Sequence, residues 1–451
     1  MHASSWEILS LNWETNITLP NQALQVMETL SSHGFEAYAV GGVVRDALLG
    51  RDCSDADITT NALPDQVKSC FSRTVDTGIA HGTVTVLDFD APVEVTTYRT
   101  ETAYSDHRRP DGVQFATSLE QDLTRRDFTI NALAYSPKDG LIDLHGGKED
   151  LRKRIIRAVG DPRKRFCEDA LRMLRAVRFA ARLGFTIAPA TLQAMDENAP
   201  LISHVSAERI FAELDGLLLS EHPEHLCDSM PLLREILPEL AICFQTPQNS
   251  KHHIHNVAKH ILYATATIPP ERVLRWTMLL HDLGKPNART TDDSGRDHFY
   301  GHDEMGVKIA QQILTRLKAP NALIHEVCGL IRLHDIRIFP DRVCIKRILH
   351  ILEKFSTFEN LLAVQRADAL AQAPALAKGK LEILDASYAV YQSILQSGEP
   401  YLTRHLAVNG NHLLAAGVLP EQIGRILDTL LERVTEHPEE NEKEHLLTLI
   451  S

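Results

Sequence analysis

The spacing of apolar and polar positions changes period once along the chain. Between residues 35 and 145, short alternating runs (FEAYAV, TVTVLDF, VEVTTYR, LIDLHG) predict β-strands, and helical patterns lie between them. From about Leu151 the strand period fades. EDALRMLRAVRFAARLGF, ERIFAELDGLLL and ERVLRWTMLLHDLG each carry an apolar stripe at helical spacing, and similar segments continue towards the C-terminus. The pattern predicts an α+β chain, a small α/β domain followed by all-α segments. Pro, Gly and Asn breaks near 186–200, 245–250, 286–301 and 398–411 supply joints. Four segments follow, over 20–145, 146–216, 217–398 and 399–451.

With 451 residues and 44% hydrophobic content, the chain is long enough for several packed cores. No apolar run approaches the ~18 residues of a membrane span, and MHASSWEILS lacks the basic start and apolar core of a secretory leader. A cytoplasmic location and no membrane partner are expected. The seven cysteines include no CxxC pair, so neither a disulfide framework nor a cysteine zinc site is suggested. A formal net charge of -13 argues against indiscriminate coating of nucleic acid. One stretch departs from that mean. From Arg108 to Arg182 there are 17 Lys/Arg against 11 Asp/Glu, so one face can hold a polyanion while the rest repels it.

The densest chemistry lies in AVGGVVRDALLGRDCSDADITT. A strand runs into Gly41-Gly42, where the missing side chains allow close backbone approach to a phosphate, and the helix that follows offers N–H donors to it. Arg45 lies one turn further on. Asp55 and Asp57, two apart on a second strand, point to one face and can grip hard divalent ions, Mg²⁺ above all. Glu94 in VEVTT can supply a third carboxylate from a neighbouring strand, completing the oxygen-rich site that two-metal phosphoryl transfer requires. A lone DxD is weak; the glycines, arginine and third acid around it make the pattern specific.

Further along, LTRRDFTINALAY holds Arg125 and Arg126, which can clamp a triphosphate, and Asp127 and Asn131, which can hydrogen-bond ribose hydroxyls. KRFCEDALRMLRAVRFAARLGF then reads as one helix with Arg172, Arg175, Arg178 and Arg182 at helical spacing. Asp169 and Arg172, three apart, share a face of it. A carboxylate accepts from an exocyclic amino group and a guanidinium donates to a ring nitrogen or carbonyl, so this pair can read cytosine or adenine without a template; uracil lacks the amino group. An ordinary surface ion pair has the same spacing.

Together GGVVRDALLG, SDADITT, HGTVTV, EVTTYR, RRDFTINA, EDALRMLRAVRFAARLGF and SAERIFAEL resemble the class II tRNA nucleotidyltransferases and their poly(A) polymerase relatives over roughly residues 30 to 215. The resemblance implies a polymerase-beta-like nucleotidyltransferase head at 20–145, a base-reading neck at 146–216, a helical body at 217–398 and a tRNA-gripping tail at 399–451. It implies Asp55 and Asp57 as metal ligands and Asp169 and Arg172 as Watson–Crick-like partners of CTP or ATP. It also implies tRNA, CTP and ATP as partners, with no obligatory protein partner evident. LAVNGNHLLAAG near the C-terminus is similar to the tail of bacterial CCA-adding enzymes. Specialists adding only CC or only A share the same head, as do poly(A) polymerases, and those alternatives stay open.

Residues 252 to 302 are rich in histidine. His281 and Asp282 adjoin Leu279 and Leu280 in an apolar helical stretch, where burial of two polar groups costs several kcal/mol unless something such as a metal ion compensates. The pattern resembles the HD phosphohydrolase superfamily. That resemblance implies His260, His281, Asp282 and Asp368 as ligands of a divalent metal, with His302 and His334 completing a second site and Asp335 competing with Asp368 for the distal role. Mixed nitrogen and oxygen ligation fits Mn²⁺, Ni²⁺, Mg²⁺ or Zn²⁺. Such a module suits hydrolysis of phosphomonoesters or 2′,3′-cyclic phosphates. Two other readings use the same motifs: a hydrolase whose head only binds RNA, and a non-catalytic tRNA-binding protein.

Overall fold

The computed structural model describes residues 17–52, 56–79, 82–101, 113–116, 118–249 and 254–450. Asp55, Arg108 and Arg109 lie outside the described residues. The chain divides into two compact units, Met1–Leu217 with His225–Ile236, and Leu218–Glu224 with Leu237–Ser451.

In the first unit, β1 (Ala37–Val40), β2 (Ala56–Thr60), β3 (Thr74–Gly78), β4 (Thr83–Val86) and β5 (Val93–Thr97) precede a separate ribbon of β6 (Arg99–Glu101) and β7 (Val113–Phe115). β8 (Leu133–Ser136) and β9 (Gly140–Asp143) complete a seven-stranded sheet of order β3-β4-β5-β2-β1-β8-β9. Only β2 and β5 run parallel; the other neighbours are antiparallel. β2 buries Ala56 and Ile58 and exposes Asp57, while β5 buries Val93 and Val95 and exposes Glu94. Period-two alternation therefore turns both acids to the uncovered side of the sheet. The helix Asn21–Ser32 packs on β1, β2 and β5 and buries Ala23, Val26, Met27 and Leu30.

The single helix expected through Asp169 is two helices, Pro162–Glu168 and Leu171–Leu183. Asp169 is extended (φ -141°, ψ 106°), and its Oδ1 accepts the Leu171 N–H at 3.1 Å. Aspartate competes with the helix for backbone donors, and here that competition sets the break. Among the described residues beyond Leu151 the fold is helical apart from an isolated bridge of Ala158 to Phe128 and two short ladders. Ile155–Ile156 pairs in parallel with Thr186–Ile187, and Thr290–Thr291 pairs antiparallel with Asp297–His298. Two-residue strands are too short to show an alternation.

The second unit is built of helices around separate apolar clusters. One gathers Leu330, Ile345, Leu349, Phe358, Leu361 and Ile394, and another Ala264, Leu274, Met278, Val364 and Ala367. A third, Val408, Leu413, Leu430, Leu431, Val434 and Leu446, lies wholly within the last segment. The described cysteines are all free thiols.

Candidate active site and metal centre

β1 leads into Gly41, whose φ of +73° suits glycine, and the helix Gly42–Leu48 starts directly after it. A Cβ on Gly41 would lie 3.1 Å from Arg126 Nη1 and 3.9 Å from Asp57 Oδ2. The bare backbone thus lets the glycine turn, a guanidinium and a carboxylate converge. Gly41→Ala is expected to cost about 1–3 kcal/mol of backbone strain, because φ +73° with ψ -128° is a region L side chains rarely adopt. It also displaces Arg126, raising the KM for nucleotide roughly tenfold if about 1.4 kcal/mol of binding is lost. Steady-state kinetics with an unchanged KM would remove Arg126 from the binding site.

The parallel register of β2 and β5 sets Asp57 directly beside Glu94. A chain of hydrogen bonds then crosses the site. Arg45, 2% exposed, donates Nε and Nη2 to Asp46 (2.8 and 2.9 Å) and Nη1 to Asn131 Oδ1 (2.6 Å). Asn131 Nδ2 donates to Asp127 Oδ1 (3.2 Å), and Asp127 Oδ2 takes Arg175 Nε and Nη2 at 2.9 and 2.7 Å. Burial opposes the charge on Asp127, but Arg175 outweighs it and holds the carboxyl below its ordinary range.

Some of the supporting residues carry no motif signal. Asp122 is fully buried, pairs with Arg125 (2.7 Å) and Arg126 (3.1 Å), and accepts from the Thr59 hydroxyl (3.2 Å). Its position three and four residues before the arginines is the cue that identifies it. The Phe179 ring lies under the guanidiniums of Arg45, Arg175 and Arg178 at 5.2, 5.4 and 4.6 Å. Arg178 also pairs with Glu213.

Asp169 and Arg172 are presented at the helix break, not along one helical face. Asp169 Oδ2 accepts from Arg209 Nη2 (2.8 Å), and Arg172 donates to Glu168 (2.6 Å) and to the Arg165 carbonyl (3.2 Å). A cavity of about 410 Å³ joins this pair to Asp57, Glu94, Arg125 and Arg126. A second, of about 310 Å³, holds Gly41, Gly42, Arg45, Asn131, Arg178 and Phe179. Asp57, Arg126, Asp127 and Arg175 line both. The candidate head residues among those described therefore converge on two adjoining cavities with carboxylates beside cations.

In the second unit, His260, His281, Asp282 and Asp368 bring ligand atoms within 4.8 Å of one another, and Asp282, His302 and His334 do the same. Asp282 belongs to both groups. Its Oδ2 lies 3.3 and 3.2 Å from Nε2 of His260 and His281, and its Oδ1 lies 3.5 and 3.7 Å from Nε2 of His302 and His334. His281 and Asp282 sit just past the helix Arg272–Leu280, at 0% and 1% exposure. Gly284 lets this turn abut the helix His302–Arg316: a Cβ there would lie 2.0 Å from the His302 carbonyl oxygen. Asp335, the competing distal acid, is exposed and belongs to neither group.

Each imidazole is tethered through Nδ1. His260, His281, His302 and His334 donate to the carbonyls of Ala371, Met278, Phe299 and Ile331 at 3.3, 2.8, 2.8 and 2.6 Å. This fixes the tautomer that turns each Nε2 lone pair inward, the arrangement a metal ion requires. Asp282 Oδ1 is buried without a hydrogen-bond partner and faces His302 and His334, so the donor set fits a divalent cation. Burial opposes charge on His281, yet Asp282 and Asp368 push its imidazole up to about 10; a bound cation takes over the neutralising role of that proton. Burial holds His302 below its ordinary value against the pull of Asp282. Lys285 donates to Gln248 Oε1 (2.9 Å) and lies 2.6 Å from Asp282 Oδ2, while Gln372 donates to Asp368 Oδ2 (2.7 Å).

A mixed sheet that sets two acids side by side, next to a glycine turn and an arginine-lined cavity, defines a nucleotidyltransferase with a polymerase-beta-like head. Residues 37–157 match the poly A polymerase head domain, 184–243 the "Probable RNA and SrmB- binding site of polymerase A", and 251–372 the HD domain. The CCA-adding enzyme of Levilactobacillus brevis is 38% identical over 435 residues, 95% of this chain and 97% of that one. The CCA-adding enzyme of Geobacillus stearothermophilus is 45% identical over 274 residues, 59% of this chain and 64% of that one. The crystal structure of Bacillus stearothermophilus CCA-adding enzyme in complex with CTP is similar at a TM-score of 0.69 and 34% identity, over 95% of both chains. This chain belongs to the CCA-adding enzyme family. Both its nucleotidyltransferase and HD modules are of divalent-metal-dependent kinds. Among the described residues no helix is long and apolar enough to cross a membrane.

Proposed function

We propose that this chain adds C, C and A to the 3′ end of tRNA from CTP and ATP without a nucleic-acid template, releasing pyrophosphate. The observation that carries it is the in-register pair Asp57–Glu94 facing the same cavity as Asp169 and Arg172. Asp55, Asp57 and Glu94 would hold Mg²⁺, which would supply Lewis-acid stabilisation to the attacking 3′-hydroxyl and to the departing pyrophosphate. Gly42 gives the triphosphate close backbone approach. Arg45, Arg126, Arg175 and Arg178 hold its charge, and Asp127 with Asn131 orients the ribose. The head, neck, body and tail occupy 20–145, 146–216, 217–398 and 399–451, the tail gripping tRNA.

The test uses Mg²⁺ with CTP and ATP, separately and together, on tRNAs ending before CCA, after C and after CC. Extension of all three to CCA is expected; arrest at CC, addition of A alone, or an adenosine tract would replace this reading with a specialist or a poly(A) polymerase. The base-reading role makes a second prediction. Asp169→Ala is expected to relax discrimination against UTP by about 1–3 kcal/mol, roughly 5- to 150-fold in the ratio of kcat/KM for CTP and UTP. An unchanged ratio would remove Asp169 from base recognition.

The second unit is proposed as a metal-dependent phosphohydrolase acting on phosphomonoesters or 2′,3′-cyclic phosphates at damaged RNA ends. The buried Asp282 carboxylate, shared between two groups of inward-facing imidazoles, supports it. Mn²⁺, Ni²⁺, Mg²⁺ and Zn²⁺ all suit this donor set.

A further inference from the structure

The cavity over the histidine–aspartate centre has two kinds of wall. It measures about 540 Å³, and Asp282, His302, His334 and Asp368 form its metal-ligating part. Arg332 and Lys380 line it as well, bringing positive charge suited to a phosphate. Lys380 Nζ lies 3.8 Å from Asp368 Oδ2, which places this charge beside the ligand cluster. The remaining feature is aromatic. His298 and Tyr300 line the same cavity with their rings stacked, centroids 5.5 Å apart and planes 9° from parallel.

Tyr300 is 80% exposed, far more than the other large apolar side chains of this unit. The segment that leads up to it is tied down. His298 ends a short ladder, its Nε2 lies 2.8 Å from Asp292 Oδ2, and Asp292 Oδ1 accepts the N–H groups of Ser294 and Arg296 at 3.0 Å each. Beyond Tyr300 the chain turns at Gly301 (φ +74°) into the helix whose first residue is the ligand His302. A stacked aromatic pair thus sits two and four residues before the ligand His302, beside cations, with Tyr300 open to solvent. A simple phosphate gives such a surface nothing to bind, whereas a nucleobase stacks on it.

We propose that His298 and Tyr300 form a base-stacking platform that positions the nucleobase of the phosphate ester held at this centre. The proposal rests on reading the centre as a phosphate-ester site, and it assigns the substrate's aromatic group to two residues outside the ligand set. Tyr300 supplies the outer face, and His298 orders it.

The test is photolabelling of the full-length protein with 8-azidoadenosine 3′-phosphate, with and without Mn²⁺, mapped by peptide mass spectrometry. Labelling of the peptide containing His298 and Tyr300 is expected. Labels in the nucleotidyltransferase head fall on other peptides and serve as an internal control. Adenosine 3′-phosphate should compete at the His298–Tyr300 peptide about tenfold better than ribose 5-phosphate. Tyr300→Ala should lose that label while keeping the head label, and Tyr300→Trp should retain both. No label there in the unaltered protein, equal competition by the two phosphates, or full labelling of Tyr300→Ala overturns the platform. Hydrolysis of adenosine 3′-phosphate and glycerol 2-phosphate by the Mn²⁺-loaded protein separates the two readings. If neither is cleaved while labelling persists, the hydrolase reading fails and the platform stands; equal kcat/KM for both sinks the platform and leaves the hydrolase.

Discussion

Asp57→Ala is expected to lower nucleotide incorporation at least about 10³-fold, a loss of roughly 4 kcal/mol of transition-state stabilisation at 1.36 kcal/mol per tenfold. A bound divalent ion contributes several kcal/mol by neutralising developing charge on phosphoryl oxygens. Asp57 and Glu94 hold corresponding positions on parallel strands, so neither backbone can shift to replace a lost oxygen without breaking its ladder. Both side chains are exposed, and substitution at such a position typically changes stability by no more than about 0.5 kcal/mol. The loss should therefore appear in single-nucleotide product analysis with little change in melting temperature. Hydrolysis at the second centre should persist. Sustained incorporation by the Ala variant would end the metal assignment.

The second large effect is expected at Asp282, whose two oxygens face two different groups of imidazoles. Asp282→Asn should weaken metal binding at both groups, whereas His334→Ala should weaken it only at the group formed with His302. Loss of an outer partner of a metal ligand already costs about 10- to 100-fold in affinity, so loss of this shared ligand should exceed about 100-fold. Asparagine keeps the shape of the site but leaves Lys285 without its anionic neighbour. A buried charge stripped of its partner costs about 3–5 kcal/mol, so a lower melting temperature should accompany the metal loss. Metal content per chain is the deciding measurement: retention of the full complement by Asp282→Asn would refute the shared-ligand arrangement. CCA addition should be unaffected.

How much of this was legible in the sequence depended on whether a side chain announced its environment. Alternation exposed β1, β4, β5 and β9, because each buries apolar residues at period two or carries a strong β-former run. β3 escaped: TVDTG lies at the sheet edge, has one large apolar residue, and leaves most of its length uncovered. The break at Asp169 was hidden because its neighbours keep helical spacing on both sides, and a side-chain hydrogen bond to Leu171 N, not a proline or glycine, interrupts the helix. Asp122 was passed over because a buried acid looks the same as a surface one until the arginines fold onto it. Asp368 and Asp335 were indistinguishable by pattern, both following apolar helical stretches. Only the packing of the helix Phe358–Leu370 brings one of them to the histidines.

The hydrogen-bond chain Arg45–Asn131–Asp127–Arg175 has a consequence for recombining this chain with relatives. It begins in the helix after the glycine turn and ends in the helix Leu171–Leu183, so its members come from three stretches of sequence. A crossover placed between Asn131 and Arg175 draws the two ends from different parents. If the incoming helix lacks the arginine, Asp127 keeps its negative charge in a half-buried setting with its main counterion gone. Segment grafts that respect strand and helix ends can still fail for this reason. The unit of exchange here is the set of four side chains, inherited together.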